Sequence, residues 1–434
     1  MPTEQKLKNG LIWYRNDLRT EDLESLAEAS KNHEKVLAVY CFDPRHYQMT
    51  RWGFEKTGKF RAQFLLETIS QLRQNLEKLH ISLLIYQEKP EEVLSRLIEN
   101  YDISTIYYQK EWTSEEREVE DTLKAKLKNV SFRSYYQQFL YHPEDIPFEI
   151  NKIPKIFTEF RKACEKKSEV RQLIPRPDPK PASNLLNETT EIPNLNSLGL
   201  QNFEPDPRSA FPFKGGENEA KKRISDYFWQ SKNLAKYKQT RNGLFGTDYS
   251  SKLSAWLANG SISPRQIYHE VKKFEKGETK NQSTYWLIFE LIWRDFFKCV
   301  SLKHGNAIFR LGGILEKDLR WNQEEEDFKR WVAGETSEDF VNANMKELAA
   351  TGFMSNRGRQ NVNSFLAKEL HHDWRKGAAY FENVLIDYDV HSNWGNWMYN
   401  SGVGNDPRDR KFNIKSQAER YDPDGEYQEL WLKN

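Results

Sequence analysis

Four short runs of β-branched and aromatic residues recur in the first 140 residues, and helix-patterned sequence fills the gaps between them. The runs are LIWYR (11–15), VLAVYCF (36–42), ISLLIYQ (81–87) and ISTIYYQ (103–109). Helical patterns cover 20–31, 57–79 and 91–100, and a further one, 114–128, leads to VSFRSYY (130–136). Parallel strands need crossovers, and crossover helices cover both faces of a sheet, so its strands read as continuous apolar runs. The alternation therefore predicts a parallel α/β layer over residues 1–140. No G-x-G-x-x-G follows the first strand and no phosphate loop is visible here, which argues against a dinucleotide-binding or ATP-using enzyme built on that sheet.

The pattern then changes. Residues 141–214 hold eleven prolines among Asn, Ser, Glu and Thr, and read as a long surface connector with short helices, 151–167 being the best candidate. From 215 to 434 the patterning is nearly all helical. In SISPRQIYHEVKKFEKG, Ser263 reads as an N-cap, Pro264 as the first helical residue and Gly277 as the residue past the end. STYWLIFELIWRDFFKCVSLKHG (283–305) reads as a helix with a Ser/Thr cap that stops at a glycine.

No run of 18 apolar residues exists, so no membrane span is expected. The start, MPTEQKLKNGLIWYRNDLR, lacks the pattern of an export or organelle signal, and Cys41, Cys164 and Cys299 suit free thiols in a reducing compartment; the expectation is cytoplasmic. Net charge is +1, so any nucleic-acid signal must be local. From Lys221 to Arg241 there are seven Lys/Arg and one acid, Asp226; Arg408, Arg410, Lys411 and Lys415 form a second cluster. Such runs are either solvated faces or phosphate-binding surfaces. Nine of the 13 tryptophans lie after residue 250, more than ordinary core filling asks of one half of a chain.

Several segments carry groups suited to chemistry. In the 283–305 helix, Trp286, Glu290, Trp293 and Phe297 share one face. Glu290 is either a rim carboxylate bonded to a nearby arginine such as Arg294, or the acceptor in an aromatic pocket wall whose planes stack on flat ligand rings. In YKQTRNGLFGTDYSSKLSAWLANG (237–260), Ser250, Ser251 and Ser254 at a helix start are either plain caps or donors to a phosphate or pyrophosphate. TGFMSNRGRQNVNSFLAKEL (351–370) opens a helix bearing Asn356, Arg357 and Arg359, and LIDYDVHSN carries Asp387 and Asp389. Here the readings are a surface ion pair, or an ion pair plus a spare carboxylate facing a ligand donor. The stretch HSNWGNWMYNSGVGN (391–405) concentrates four Asn, three Gly, two Trp and a Tyr without helical or strand period, as if a ligand supplied its packing.

The long motifs, in order, resemble the photolyase/cryptochrome family and within it the cryptochrome DASH branch. LIWYRNDLRTEDLESL, RNGLFGTDYSSKLSAWLANGSISPRQIYHEV, STYWLIFELIWRDFF, NANMKELAATGFMSNRGRQNVNSFL, DWRKGAAYFENVLIDYDVHSNWGNW and GVGNDPR carry the resemblance over nearly the whole chain, while TEDLE and SEDFVNANM depart from the usual family runs. The resemblance implies an N-terminal Rossmann-like parallel-sheet antenna domain (1–140), a connector (141–214) and a C-terminal all-helical FAD-binding domain (215–434). It implies that Ser250, Ser251, Leu253 and Ser254 cradle the FAD pyrophosphate near Tyr237 and Arg241. Arg359 pairs with Asp387 against the flavin ring, Asp389 takes a ring N–H, and Asn393 faces flavin N5, where an amide favours reduced, protonated forms. Trp397, Trp374 and Trp321 match the electron-transfer triad, from the cofactor to the surface.

The implied reaction is light-driven repair of cyclobutane pyrimidine dimers by an electron from reduced FAD. Glu290 and Asn356 would contact the dimer, and Trp293 and Tyr399 would line its pocket. Tyr399 and Gln360 stand where duplex photolyases tend to have Trp and Met, consistent with single-stranded or locally unpaired DNA as partner. Segments 221–241 and 408–415 would meet phosphates. Glu111 matches the acidic residue that contacts an antenna pigment, 5,10-methenyltetrahydrofolate. A monomer is expected. The alternative is a blue-light receptor that binds DNA without significant repair.

Overall fold

The structure, a computed structural model, describes residues 7–322 and 324–433; residues 1–6 and 434, at the two ends of the expected segments, and residue 323, within the helical one, lie outside it. Five strands, β1 (Leu7–Tyr14), β2 (His33–Cys41), β3 (Leu83–Tyr86), β4 (Ile103–Gln109) and β5 (Ser131–Tyr135), pair in the order β3-β2-β1-β4-β5, all parallel. Ile12 lies opposite Ala38 on one side and Tyr107 on the other. Alternate residues point to opposite faces. Ile12, Tyr14, Val36 and Ala38 meet α1 (Glu24–Asn32) and α2 (Lys59–Glu77). Leu11, Trp13, Leu37 and Val39 meet α3 (Pro90–Tyr101) and α4 (Ser114–Lys126). Both faces are dry, which is why these strands read as unbroken apolar runs.

The 141–214 segment runs mostly over the surface with short helices, and a few buried anchors pin it to the rest of the protein. Of 151–167, only Phe157–Lys167 (α5) is α-helical, and its Phe157, Phe160 and Cys164 are buried in the helical core. Asn184 plugs the sheet edge: Val36 N donates to its Oδ1 at 2.9 Å, and its Nδ2 donates to Val36 O at 2.9 Å and His80 O at 2.6 Å. Leu195, Leu198 and Leu200 cover the same face of the sheet. Proline-rich composition here goes with missing regular structure, and the segment is held by a few buried anchors.

The remaining helices are α6 (Glu217–Ile224), α7 (Tyr237–Thr240), α8 (Ser254–Ala258), α9 (Pro264–Gly277), α10 (Gln282–His304), α11 (Glu325–Ala333), α12 (Asp339–Thr351), α13 (Asn356–Ser364), α14 (Trp374–Val384), α15 (Val390–Ser401), α16 (Ile414–Tyr421) and α17 (Glu426–Leu432). The α9 start carries the expected cap, with Gln266 N donating to Ser263 Oγ, but Gly277 is its last residue and not the one beyond. The α10 cap is Asn281, whose Oδ1 accepts from Ser283 N and Thr284 N, and not the Ser/Thr itself. α10 packs against α5, α7, α9 and α15, which makes it the axis of the helical half. No helix among the described residues is long and apolar enough to cross a membrane.

Candidate functional site

Residues 391–401 of the 391–405 stretch, in which the sequence shows no helical period, lie in α15. Asp389 caps it, accepting from Ser392 N at 2.8 Å, and Gly402 ends it at φ 79°. No amphipathic stripe shows in the sequence because α15 is buried on several sides at once: His391, Asn393, Trp394, Gly395, Trp397 and Met398 are all buried. Two glycines permit that packing. A Cβ on Gly395 would lie 2.3 Å from Phe297 of α10, and one on Gly377 of α14 would lie 2.2 Å from the Trp397 ring.

Between α13, the end of α14 and α15 opens a cleft whose atom-free space, open solvent included, is about 480 Å³. Its wall includes Asn356, Arg359, Gln360, Asp387, Asp389, Asn393 and Trp397, together with Asn363, Ser392, Asn396 and Asn400. Arg359 Nη2 donates to both Asp387 oxygens at 2.9 Å. Asn393 Nδ2 donates to Ala378 O at 3.0 Å, which leaves its carbonyl for the cavity. The Asn363 amide oxygen and the Trp397 indole N–H are buried without a protein partner. Buried polar groups are rarely left unmet, so such orphans in one cavity wall call for a polar ligand.

Of the two readings the sequence left open, a surface ion pair or a spare carboxylate beside the Arg359–Asp387 pair, Asp389 fits neither as it stands. Lys298 Nζ donates to its Oδ2 at 2.9 Å, with Arg294 Nη2 at 3.5 Å. Burial alone would push this carboxyl up, but Lys298 and Arg294 hold it well below the usual carboxylate range. Burial pushes the Lys298 ammonium down, opposed by Asp389. Sequence reasoning missed Lys298; its signal was a second cation four residues after Arg294, on the same helix.

Glu290 pairs with Arg241, at 2.7 Å, and not with Arg294, which donates to the Gln138 and Leu257 carbonyls. Burial pushes its carboxyl up while Arg241 and Trp286 oppose. Tyr237, buried one turn before Arg241, has its phenol pushed up by burial and by Glu290. One turn along α10, Trp293 stacks on Phe157 with centroids 3.6 Å apart and meets Tyr399 edge-on at 5.9 Å. Arg410 donates to the Tyr399 hydroxyl at 2.5 Å. Arg357 Nη1 donates to Gln360 Oε1 at 2.9 Å.

The 247–251 loop is stapled from below. Arg223, buried and therefore removed from the basic surface expected over 221–241, donates to the Thr247, Ser250 and Ser251 carbonyls and to Asp248. The residue before α8 is Leu253, and no side chain caps that helix, so Ser250, Ser251 and Ser254 are not acting as plain caps. Lys252 Nζ lies buried between the Tyr249 and Phe353 rings with no hydrogen-bond partner.

Trp397 rests on Gly377, one turn along α14 from the buried Trp374, whose indole donates to Leu311 O at 3.0 Å. Trp321 lies next to Asn322, whose N–H donates to His371 O at 2.6 Å, three residues before Trp374. Glu111, at the carboxyl end of β4, accepts from Gln109 Nε2 at 2.7 Å. It sits where the strand order reverses between β1 and β4, the usual ligand crevice of such sheets.

Residues 10–182 match the family model described as DNA photolyase, and 286–434 the one described as the FAD binding domain of DNA photolyase. A Cryptochrome DASH of Gloeobacter violaceus is 50% identical over 428 residues, spanning 98% of this chain and 85% of the relative. One of Danio rerio is 49% identical over 426 residues, spanning 96% and 82%. The crystal structure of a Synechocystis cryptochrome matches with a TM-score of 0.94 at 46% identity, covering 99% of this chain and 89% of that one.

Proposed function

The chain belongs to the photolyase/cryptochrome family, with cryptochrome DASH proteins as close relatives, and from that premise we propose a blue-light-driven, FAD-dependent lyase that repairs cyclobutane pyrimidine dimers, preferentially in single-stranded DNA. The observation that carries this reading is the cavity against α15, where the Arg359–Asp387 pair, the free Asn393 carbonyl and the unmet Trp397 N–H converge. These groups suit the polar edge of a flavin ring. Bound and reduced, FAD supplies under light the single electron that splits the dimer.

The protein's own work is holding and orienting. Asn393 accepts a ring N–H without carrying charge. Asp389, kept ionised by Lys298 and Arg294, accepts and does not donate. Ser250, Ser251, Leu253 and Ser254 hold the pyrophosphate on a loop that Arg223 keeps rigid. Glu290, positioned by Arg241, and Asn356 accept and donate to the dimer bases, while Trp293 and Tyr399 wall the recess. Trp397, Trp374 and Trp321 relay electrons from the surface. Glu111 meets the N–H edge of the folate antenna, 5,10-methenyltetrahydrofolate.

A flipped dimer costs least to extract from an unpaired strand. The test is light-dependent repair of a thymine dimer in matched single- and double-stranded oligonucleotides, with faster repair of the single strand expected. Repair of neither by protein with a bound, photoreducible flavin would replace this reading with that of a blue-light receptor.

A further inference from the structure

The loop that leads into the pyrophosphate cradle, residues 242–249, points adjacent side chains in opposite directions. Leu244 is 2% exposed and locked into the helical core, whereas Phe245 is 47% exposed. The ring is thus held half in water by an anchored neighbour. The base of this loop, at Asn242, borders a cationic cluster. Arg357 donates to Asn242 at 3.2 Å and lies over the Tyr421 ring at 4.6 Å; Arg420 lies over the same ring at 5.4 Å and makes no ion pair among the described residues. The one carboxylate within 242–249, Asp248, is neutralised by Arg223 at 3.0 Å. Arg357 also adjoins Asn356 and bonds Gln360, both in the cavity wall, so this rim borders the mouth of the candidate site.

We propose that Phe245 is a stacking platform for an unpaired nucleobase flanking the lesion, with Arg357 at the base of its loop, and Arg420 across Tyr421 from Arg357, to meet the backbone phosphates. This rests on the DNA-repair reading above and adds to it a source of strand preference outside the dimer pocket. An aromatic face accepts any base, and a flanking base inside a duplex is already paired and stacked, so Phe245 adds affinity only for a single strand.

The experiment uses the FAD-loaded full chain and a fluorescein-labelled oligothymidylate with one dimer, read by fluorescence anisotropy across a salt series, with the matched duplex alongside. Phe245→Ala should weaken single-strand binding about tenfold, leave duplex binding unchanged, and keep the slope of affinity against salt, because no phosphate contact is removed. Phe245→Trp should stay within about twofold of wild type. Single-strand affinity of Phe245→Ala within about twofold of wild type, an equal loss on duplex, or loss of bound flavin would overturn the proposal. Wild type with no affinity for either oligonucleotide would overturn it and the DNA-repair reading together; an affinity in wild type that Phe245→Ala retains overturns this inference alone.

Discussion

Glu290 shows how one residue's role depends on a partner that sequence spacing cannot name. Helical periodicity put it among indoles, but the cation that compensates it comes from α7, not from its own helix. Glu290→Ala is expected to weaken dimer binding about tenfold, the worth of one hydrogen bond to a charged group, with flavin absorbance unchanged; oligonucleotide titration checks it, and unaltered affinity would remove Glu290 from the recess. Glu347 carries a pH dependence. It is buried, accepts from the Tyr427 hydroxyl at 2.6 Å, and burial pushes its carboxyl up from the ordinary 4.5 to about 7, against the opposing pull of Tyr427, Lys252 and Arg359. Between those values the unfolded chain releases this proton while the folded protein keeps it, so stability falls as pH rises through that window. Glu347→Gln should flatten the fall and stabilise the protein at neutral pH by roughly 1–3 kcal/mol. Urea unfolding on either side of the window measures it, and an unchanged slope would count against the assignment.

At the scale of elements, α9, α10 and the strands were legible because each carries a local signal, such as a cap, a proline at the first turn or a run of branched residues. α15 was not. Its amides and glycines weaken helix propensity, and burial on several sides erases the stripe that periodicity detects. Asp389 compensates at its start and also holds two cations. Asp389→Asn should keep the cap but strand Lys298 and Arg294, costing about 3–5 kcal/mol; Asp389→Ala should cost about 1 kcal/mol more through the lost cap. Chemical denaturation of both variants separates the two contributions, and equal losses would mean that the cap contributes nothing.

Across the whole molecule the two halves are clamped by buried polar groups. Arg265 of α9 pairs with Asp22 at 2.7 Å, Ser263 donates to the same carboxylate, and Arg19 donates to Gly260 O and Gln137 O. Trp112, just after β4, stacks on His391 at 4.4 Å and donates to Ser301. Asp22→Ala leaves Arg265 buried and unpaired; it should cost about 3–5 kcal/mol and separate the unfolding of the sheet from that of the helices. Thermal unfolding followed by calorimetry reads this, and a single unshifted transition would show that the clamp is unimportant.

Residue order alone determined the five strands and their crossovers, the helical second half, and half of the side chains that line the α15 cleft, because local propensity and long family motifs are written along the chain. Tertiary structure alone decided that Arg241 compensates Glu290, that Lys298 and Arg294 occupy Asp389, that Arg223 leaves the surface to staple a loop, and that 390–401 coils into a helix. Each of these depends on which distant groups share a dry volume, where an unpaired charge or amide is costly, and no local pattern encodes that.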